Sequence, residues 1–241
     1  VEFMTALLSS EKDNTDKVVF YIDEAKRMGL KVLPPDVNES FPQFTVISQD
    51  TIRFGLAAVK NVGQTAIDAI IQGRIKRNRF KSLFDLAEHV DLRVVNRKVL
   101  ESLIKCGAFD SMHTNRAQIF TALDGALARS GELQKDRESG EVSFFESFDK
   151  VDASESMPFE AEWAENIKLA YEKELLGFYV TGHPLERYRK ELKSYSTIHT
   201  NTAAARRDGE EVVIGGLVNK LKYTQTKKNN EKMAIVTLED L

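Results

Sequence analysis

Phe54-Gly55-Leu56-Ala57-Ala58-Val59-Lys60-Asn61-Val62-Gly63-Gln64-Thr65-Ala66-Ile67 reads as a helical turn, a tight hairpin and the start of a second helix. Such a hairpin aims successive amides and the next helix's N-terminus in one direction. Those amides have no intrahelical acceptor, and the helix dipole adds positive partial charge. Together they offer a site for one phosphate. Gly63 lets a nucleic-acid backbone come close. Asn61 stands at the tip, where the chain turns sharply, and Asn enters the left-handed region more readily than most side chains. An ordinary helical hairpin is the competing reading. Lys60, Asn61, Val62, Gly63, Gln64 and Thr65 are the candidate contacts.

Downstream, a looser copy of the pattern runs from Val95 to Asp110 and on into Asn115-Arg116-Ala117. A helix leads into Gly107, the chain turns, and a helix follows. Lys105, Gly107, Ala108 and Arg116 are its candidates. The two glycines lie about 44 residues apart (63 to 107). Two such hairpins could grip both strands of a duplex. Between them lie Arg74, Lys76, Arg77, Arg79 and Lys81. Residues 51–130 carry 13 Lys and Arg against 7 Asp and Glu, whereas residues 131–175 carry 5 against 13. The first block suits phosphates and the second repels them. Binding of this kind is indifferent to base sequence and sensitive to salt. No internal repeat of fixed period is evident.

Upstream, residues 1–12 read as the end of a helix, and a second helix begins at Asn14 or Thr15 and closes at Gly29. Short strands are expected at 30–33, 44–47 and 51–54. Beyond Leu56, helices fit about 56–60, 63–73, 82–90, 94–105 and 115–129. Residues 131–160 are acidic, Ser-rich and poor in aliphatics, which suits a connector. A helix is expected at 160–178, ended by Gly182-His183-Pro184. A strand from Val212 to Tyr223, with a bulge at Gly215-Gly216, pairs across a basic tip at Lys227-Lys228 with a strand from Met233 to Leu238. The fold class is mainly α with short β-hairpins (α+β).

Composition excludes several classes. A hydrophobic fraction of 42% over 241 residues supports a true core. No apolar run reaches the roughly 18–20 residues of a membrane span, so no membrane partner is expected. Cys106 is the one cysteine, so there is no disulfide framework, and a reducing, cytoplasmic setting fits. His89, His113, His183 and His199 are scattered without metal-ligand spacing. The paired acids Asp149/Asp152 and Glu160/Glu162 fall in the acidic connector and read as solvated, so no catalytic or metal-binding residue is assigned. The chain opens without Met and stops after two strands of a sheet, as a piece of a longer protein would.

Taken in order, these stretches resemble the alpha-subunit family of bacterial DNA polymerase III, the C-family replicative polymerases. The resemblance rests on Val1 to Met4, Asp13 to Val19, Val32 to Asn38, Phe54 to Gly63, Asn96 to Asp110, Glu172 to Leu185, Thr226 to Lys228 and Ala234 to Asp240. It implies the end of a fingers domain at 1–50 and a tandem helix-hairpin-helix duplex-binding region at 51–130. It further implies a linker with a clamp-binding motif at 131–160, a helical connector at 161–205 and the first strands of an OB fold at 206–241. Lys220, Lys222, Tyr223, Lys227 and Lys228 would then face single-stranded template. The parent would be a DNA-directed DNA polymerase, a nucleotidyltransferase. Its Mg²⁺ would sit in a palm domain outside this chain, so this segment needs no cofactor and extends no primer alone. The alternative is a self-standing helix-hairpin-helix scaffold of DNA repair or recombination.

The resemblance also places an internal clamp-binding pentapeptide between the hairpins and the OB strands, ideally Gln, an aliphatic, Ser or Asp, Leu or Met, then Phe. Glu141-Val142-Ser143-Phe144-Phe145 fits at Val142, Ser143 and Phe145 and departs at Glu141 and Phe144. Its two rings would anchor in an apolar pocket of the sliding clamp, while Glu141 lacks the amide donors of Gln. Local packing of the two rings against Phe148 or the helix at 160–178 is the competing reading. A peptide of residues 138–149 should therefore bind the cognate clamp weakly in a fluorescence titration. Glu141→Gln should tighten it, and replacing both Phe144 and Phe145 by Ala should abolish it. Undiminished binding by the double-Ala peptide would refute the motif.

Overall fold

The structure, a computed structural model, describes residues 1–113, 115–139, 157–226 and 229–241. They form two compact units, Val1–Val180 and Thr181–Leu241. In the first unit, helix α1 (Glu2–Ser10) and helix α2 (Thr15–Arg27) bury Met4, Leu8, Val18, Ile22 and Ala25. The Asn14 side chain accepts from the Lys17 amide at 3.2 Å and starts α2. Strands β1 (Lys31–Leu33), β2 (Thr45–Ser48) and β3 (Thr51–Arg53) make a small sheet in the order β1-β3-β2. β3 runs antiparallel to β2 and parallel to β1.

A 3-10 turn at Leu56–Ala58 then leads to helices α3 (Gln64–Arg77), α4 (Leu83–His89), α5 (Arg97–Lys105) and α6 (Arg116–Ser139). Ser82 caps α4 through the Asp85 amide and Asn96 caps α5 through the Val99 amide. Helix α6 packs on α4 and α5, and helix α7 (Glu165–Leu176) packs on α5. Phe178, just beyond α7, stacks on Phe54, which meets Phe44 edge-on at 4.7 Å between centroids. One apolar core therefore runs from Met4 to Phe178. The segments expected as separate regions at 1–50 and 51–130, and the start of the expected connector, share that core. Helix α6 also continues to Ser139, into the stretch expected to be linker.

The second unit holds a 3-10 turn at Glu186–Tyr188, helix α8 (Arg189–Tyr195), a 3-10 helix at Thr200–Ala205 and the antiparallel pair β4 (Leu217–Gln225) and β5 (Lys232–Glu239). The irregularity in this pair lies between Val218 and Lys220, beyond Gly215-Gly216, which precede β4. The pair alone leaves Val218, Leu221, Tyr223, Met233, Ile235 and Val236 exposed.

The junction between α5 and α6 is built around a buried charge. Arg116, 2% exposed, donates to both oxygens of Asp110 (2.7–3.2 Å) and to fully buried Glu172 on α7 at 2.9 Å. Burial opposes its charge, but Asp110 and Glu172 outweigh it and push the guanidinium pKa up. Gly107 lies against this arginine with φ +83°, and a Cβ there would fall 2.3 Å from Nη2 of Arg116. Neighbouring Cys106 is fully buried, and burial pushes its thiol up to about 12. Gly107→Ala should therefore lower the unfolding free energy by about 2–4 kcal/mol in urea denaturation, through both backbone strain and damage to a buried ion pair. Gly125→Ala, on α6 with nothing within 4 Å of its Cβ, should instead stabilise by about 0.5–1 kcal/mol.

Candidate nucleic-acid interface

The first hairpin has the conformation a phosphate site needs. Asn61 turns the chain with φ +67°. Gly63 then sits extended (φ −81°, ψ 159°) as the N-cap of α3 and uses no side chain to cap it. Val62 sends its side chain into the core, and its amide bonds back to the Val59 carbonyl. The Lys60 amide is taken by the Leu175 carbonyl of α7 at 3.0 Å. Among the described residues no backbone acceptor takes the amides of Gly63, Gln64 and Thr65. All three residues are exposed, and nothing lies within 4 Å of a Cβ at Gly63. Neither packing nor backbone angle demands glycine there, and the position is open to close approach from outside. The Gln64 side chain is held by Asp68 at 2.8 Å.

At the expected second hairpin around Gly107 the amides are already bonded within the chain. The Gly107 and Ala108 amides bond to the Ile104 and Leu103 carbonyls and close α5. The N-terminus of α6 is filled from within the chain. Glu162 accepts from the amides of Arg116 (3.0 Å), Ala117 (3.1 Å) and Trp163 (2.8 Å), and Asn115 accepts from Gln118 (2.9 Å). Partial burial opposes ionisation of Glu162. Those amides, with Lys168 nearby, outweigh it and hold its carboxyl below the usual range. Glu162 is thus a helix cap, not the solvated acid its composition suggested.

Several other candidates are structural as well. The Arg116 guanidinium is sealed in the triad described above. Arg74, 8% exposed, donates to the carbonyls of Val37 (3.2 Å) and Ser40 (3.0 Å) and lies over the Phe41 ring. The Lys105 ammonium sits over the rings of Phe120 and Tyr171 at 5.1 and 4.9 Å. Lys76 and Arg79 are exposed, and exposed Arg77 pairs with Asp85 at 2.9 Å.

The true counterpart of the first hairpin lies between α4 and α5. Moving along the chain by 33 residues (62 to 95) carries buried Val62 onto buried Val95, and Ile67 and Ile70 onto Leu100 and Leu103. The same step carries the N-cap Gly63 onto the N-cap Asn96, whose angles (φ −77°, ψ 175°) nearly repeat it. Val62 bonds back to the Val59 carbonyl, and Val94 and Val95 bond back to the Asp91 carbonyl, so each turn closes just ahead of its helix. The amides of Asn96, Arg97 and Lys98 then stand where those of Gly63, Gln64 and Thr65 stand in the first hairpin. No backbone acceptor among the described residues takes them. Arg93, Arg97 and Lys98 are exposed around this N-terminus, with Arg93 held by Asp91 (2.8 Å) and Arg97 by Glu101 (2.7 Å). The chain does contain a repeated pair of hairpins, 33 rather than 44 residues apart.

In the second unit, Lys220, Lys222 and Tyr223 are exposed on β4. Lys227 and Lys228, and the pentapeptide Glu141 to Phe145, lie outside the described residues. Among the described residues there is no group of three His, Cys, Asp or Glu side chains that could hold a metal ion, and no helix long and apolar enough to cross a membrane.

Residues 29–119 match the helix-hairpin-helix motif family. The match takes in both hairpins of the 33-residue pair and stops in the first turn of α6. Over 99% of its length the chain is similar to the DNA polymerase III subunit alpha of several bacteria. It is 40% identical to that of Borreliella burgdorferi, 37% to that of Vibrio cholerae and 37% to that of Escherichia coli. It spans 21% of the length of each of these relatives.

The Glu162 cap has a signature in pH. A carboxyl whose folded pKa is depressed stabilises above its unfolded value and loses that contribution as pH falls through the folded value. Glu162→Gln should therefore lower stability at neutral pH by about 1–2 kcal/mol, the range of a lost charged cap. The gap to wild type should close as pH drops below the ordinary carboxylate range. Chemical denaturation at a series of pH values reads both.

Proposed function

Because this chain belongs to the DNA polymerase III alpha-subunit family, as one segment of it, we propose that it holds duplex DNA for a replicative polymerase and tethers that enzyme to its sliding clamp. The observation that carries the first part is the pair of matching helix N-termini at Gly63–Thr65 and Asn96–Lys98. Each presents three consecutive amides without a backbone acceptor, on an exposed surface. Each suits one phosphate, and neither offers a means of reading bases. Lys60 and Lys98 add charge beside them, and Lys76 and Arg79 lie exposed at the far end of α3.

The clamp tether is supported by the sequence at Glu141 to Phe145 and by the family. Contact with single-stranded template is supported by Lys220, Lys222 and Tyr223, which are exposed on β4. Nucleotidyl transfer, with Mg²⁺ as its metal, is proposed for the whole subunit in the cytoplasm, and no catalytic residue is assigned to this segment. The rival reading, a self-standing repair scaffold, gains nothing from relatives that match the chain from end to end.

The test is an anisotropy titration of the chain with duplexes of unrelated sequence at several salt concentrations. Affinity should not depend on sequence. If about 3–5 phosphates are neutralised, log K should fall against log salt with a slope of roughly −3 to −4.5. Lys98→Glu and Gly63→Val should each weaken binding about tenfold, whereas Lys105→Gln should change it less than twofold. Salt-independent binding, or a larger loss at Lys105 than at Lys98, would count against the assignment.

A further inference from the structure

The two hairpins are tied together. The Asn61 Nδ2 donates to the Ser102 hydroxyl at 3.3 Å, across a separation of 41 residues. Ser102 is 4% exposed and lies on α5, the helix whose N-terminus forms the second site. The residue before Asn61 is held too, through the bond from the Lys60 amide to the Leu175 carbonyl on α7. The tip of the first hairpin is thus pinned at two successive residues by two later helices. Among the positive-φ residues of this region, Asn61 is an amide side chain where glycine would meet the backbone need at lower cost. Its amide reaches a partner that a glycine could not.

We infer that Asn61 and Ser102 form a latch that fixes the aim of the first hairpin relative to the second, making Ser102 a positioning residue for duplex binding. This rests on the duplex-binding reading above. The phosphates of a duplex are set at fixed separations. Two sites held at the matching separation before binding avoid the ordering cost that two loose sites incur on contact. In Ser102→Ala the exposed Asn61 amide returns to water and no buried group is left unsatisfied, whereas Asn61→Gly leaves the buried Ser102 hydroxyl without this partner. The latch therefore contributes little to stability and more to affinity. A purely structural bond would move both together.

The experiment is a double-mutant cycle on the 241-residue chain, reading duplex affinity by anisotropy and thermal stability by calorimetry. Ser102→Ala and Asn61→Gly should each weaken duplex binding about 3- to 10-fold, with the melting temperature of Ser102→Ala held within about a degree or two. The double variant should bind no worse than either single one, because both remove the same bond. Affinity unchanged in the single variants, or losses that add in the double, would overturn the latch while wild-type binding stands. A wild-type chain that binds no duplex would overturn the duplex-binding reading and the latch with it. Asn61 lies on an exposed tip, so Asn61→Gly keeps the test decisive even if Ser102→Ala folds poorly.

Discussion

The buried contact of Arg116 with Asp110 and Glu172 is the constraint on which the larger unit depends. It joins the turn after α5, the first residue of α6 and the middle of α7 in one charged cluster whose Arg116 and Glu172 are almost wholly buried. Such a cluster adds little net stability over an apolar core. Breaking it is costly, because a lone charge is left buried. Its geometry sets the path of α7, and α7 delivers two further contacts: the Leu175 carbonyl to the Lys60 amide, and Phe178 to the ring of Phe54. The hairpin that faces outward is thus held from below by a charge pair about 50 residues further along the chain. Gly107 lies against that cluster with φ +83°, where a side chain would meet Arg116.

The helix starts nearest the hairpins differ in how their first amides are met. Every helix begins with amides that need acceptors. Helices α3, α5 and α6 solve this differently. At α6 the chain supplies Glu162 and Asn115, so the positive end of the helix is neutralised internally and no external anion is wanted. At α5, Asn96 covers only the Val99 amide, and at α3 no side chain caps at all. The two unfilled ends are the two related by the 33-residue step. A nucleic-acid backbone can supply the missing acceptors, and it can do so without base specificity.

Much of this was legible in the sequence where the physics is local. Asn14 and Ser82 announce helix starts, and the apolar spacing of Val18, Ile22 and Ala25 announces the buried face of α2. Asn61 could be read as a left-handed turn residue because few other side chains suit one. The second hairpin was misplaced because its turn, Leu92-Arg93-Val94-Val95, has no glycine and two β-branched residues, so it does not look like a turn. Gly107 looked like one, and is one, but it serves a C-cap. The signal that finds the true copy, the recurrence of Val62, Ile67 and Ile70 as Val95, Leu100 and Leu103, is a matter of register and not of composition. The cap at Glu162 was out of reach, since its partners lie 45 and 46 residues away and only folding brings them together. Arg74 and Arg116 likewise look like surface cations until the carbonyls and carboxylates that surround them are placed.

Duplex phosphates should be taken by the N-termini of α3 and α5 and refused by that of α6. Amide chemical shifts in a ¹⁵N-labelled chain test it most directly as a short duplex is added. The account predicts that the amides of Gly63 to Thr65 and of Asn96 to Lys98 shift together along one binding curve, while those of Arg116 and Ala117 stay in place. Movement of Arg116 and Ala117 with the duplex, or stillness at either of the first two sets, would contradict it.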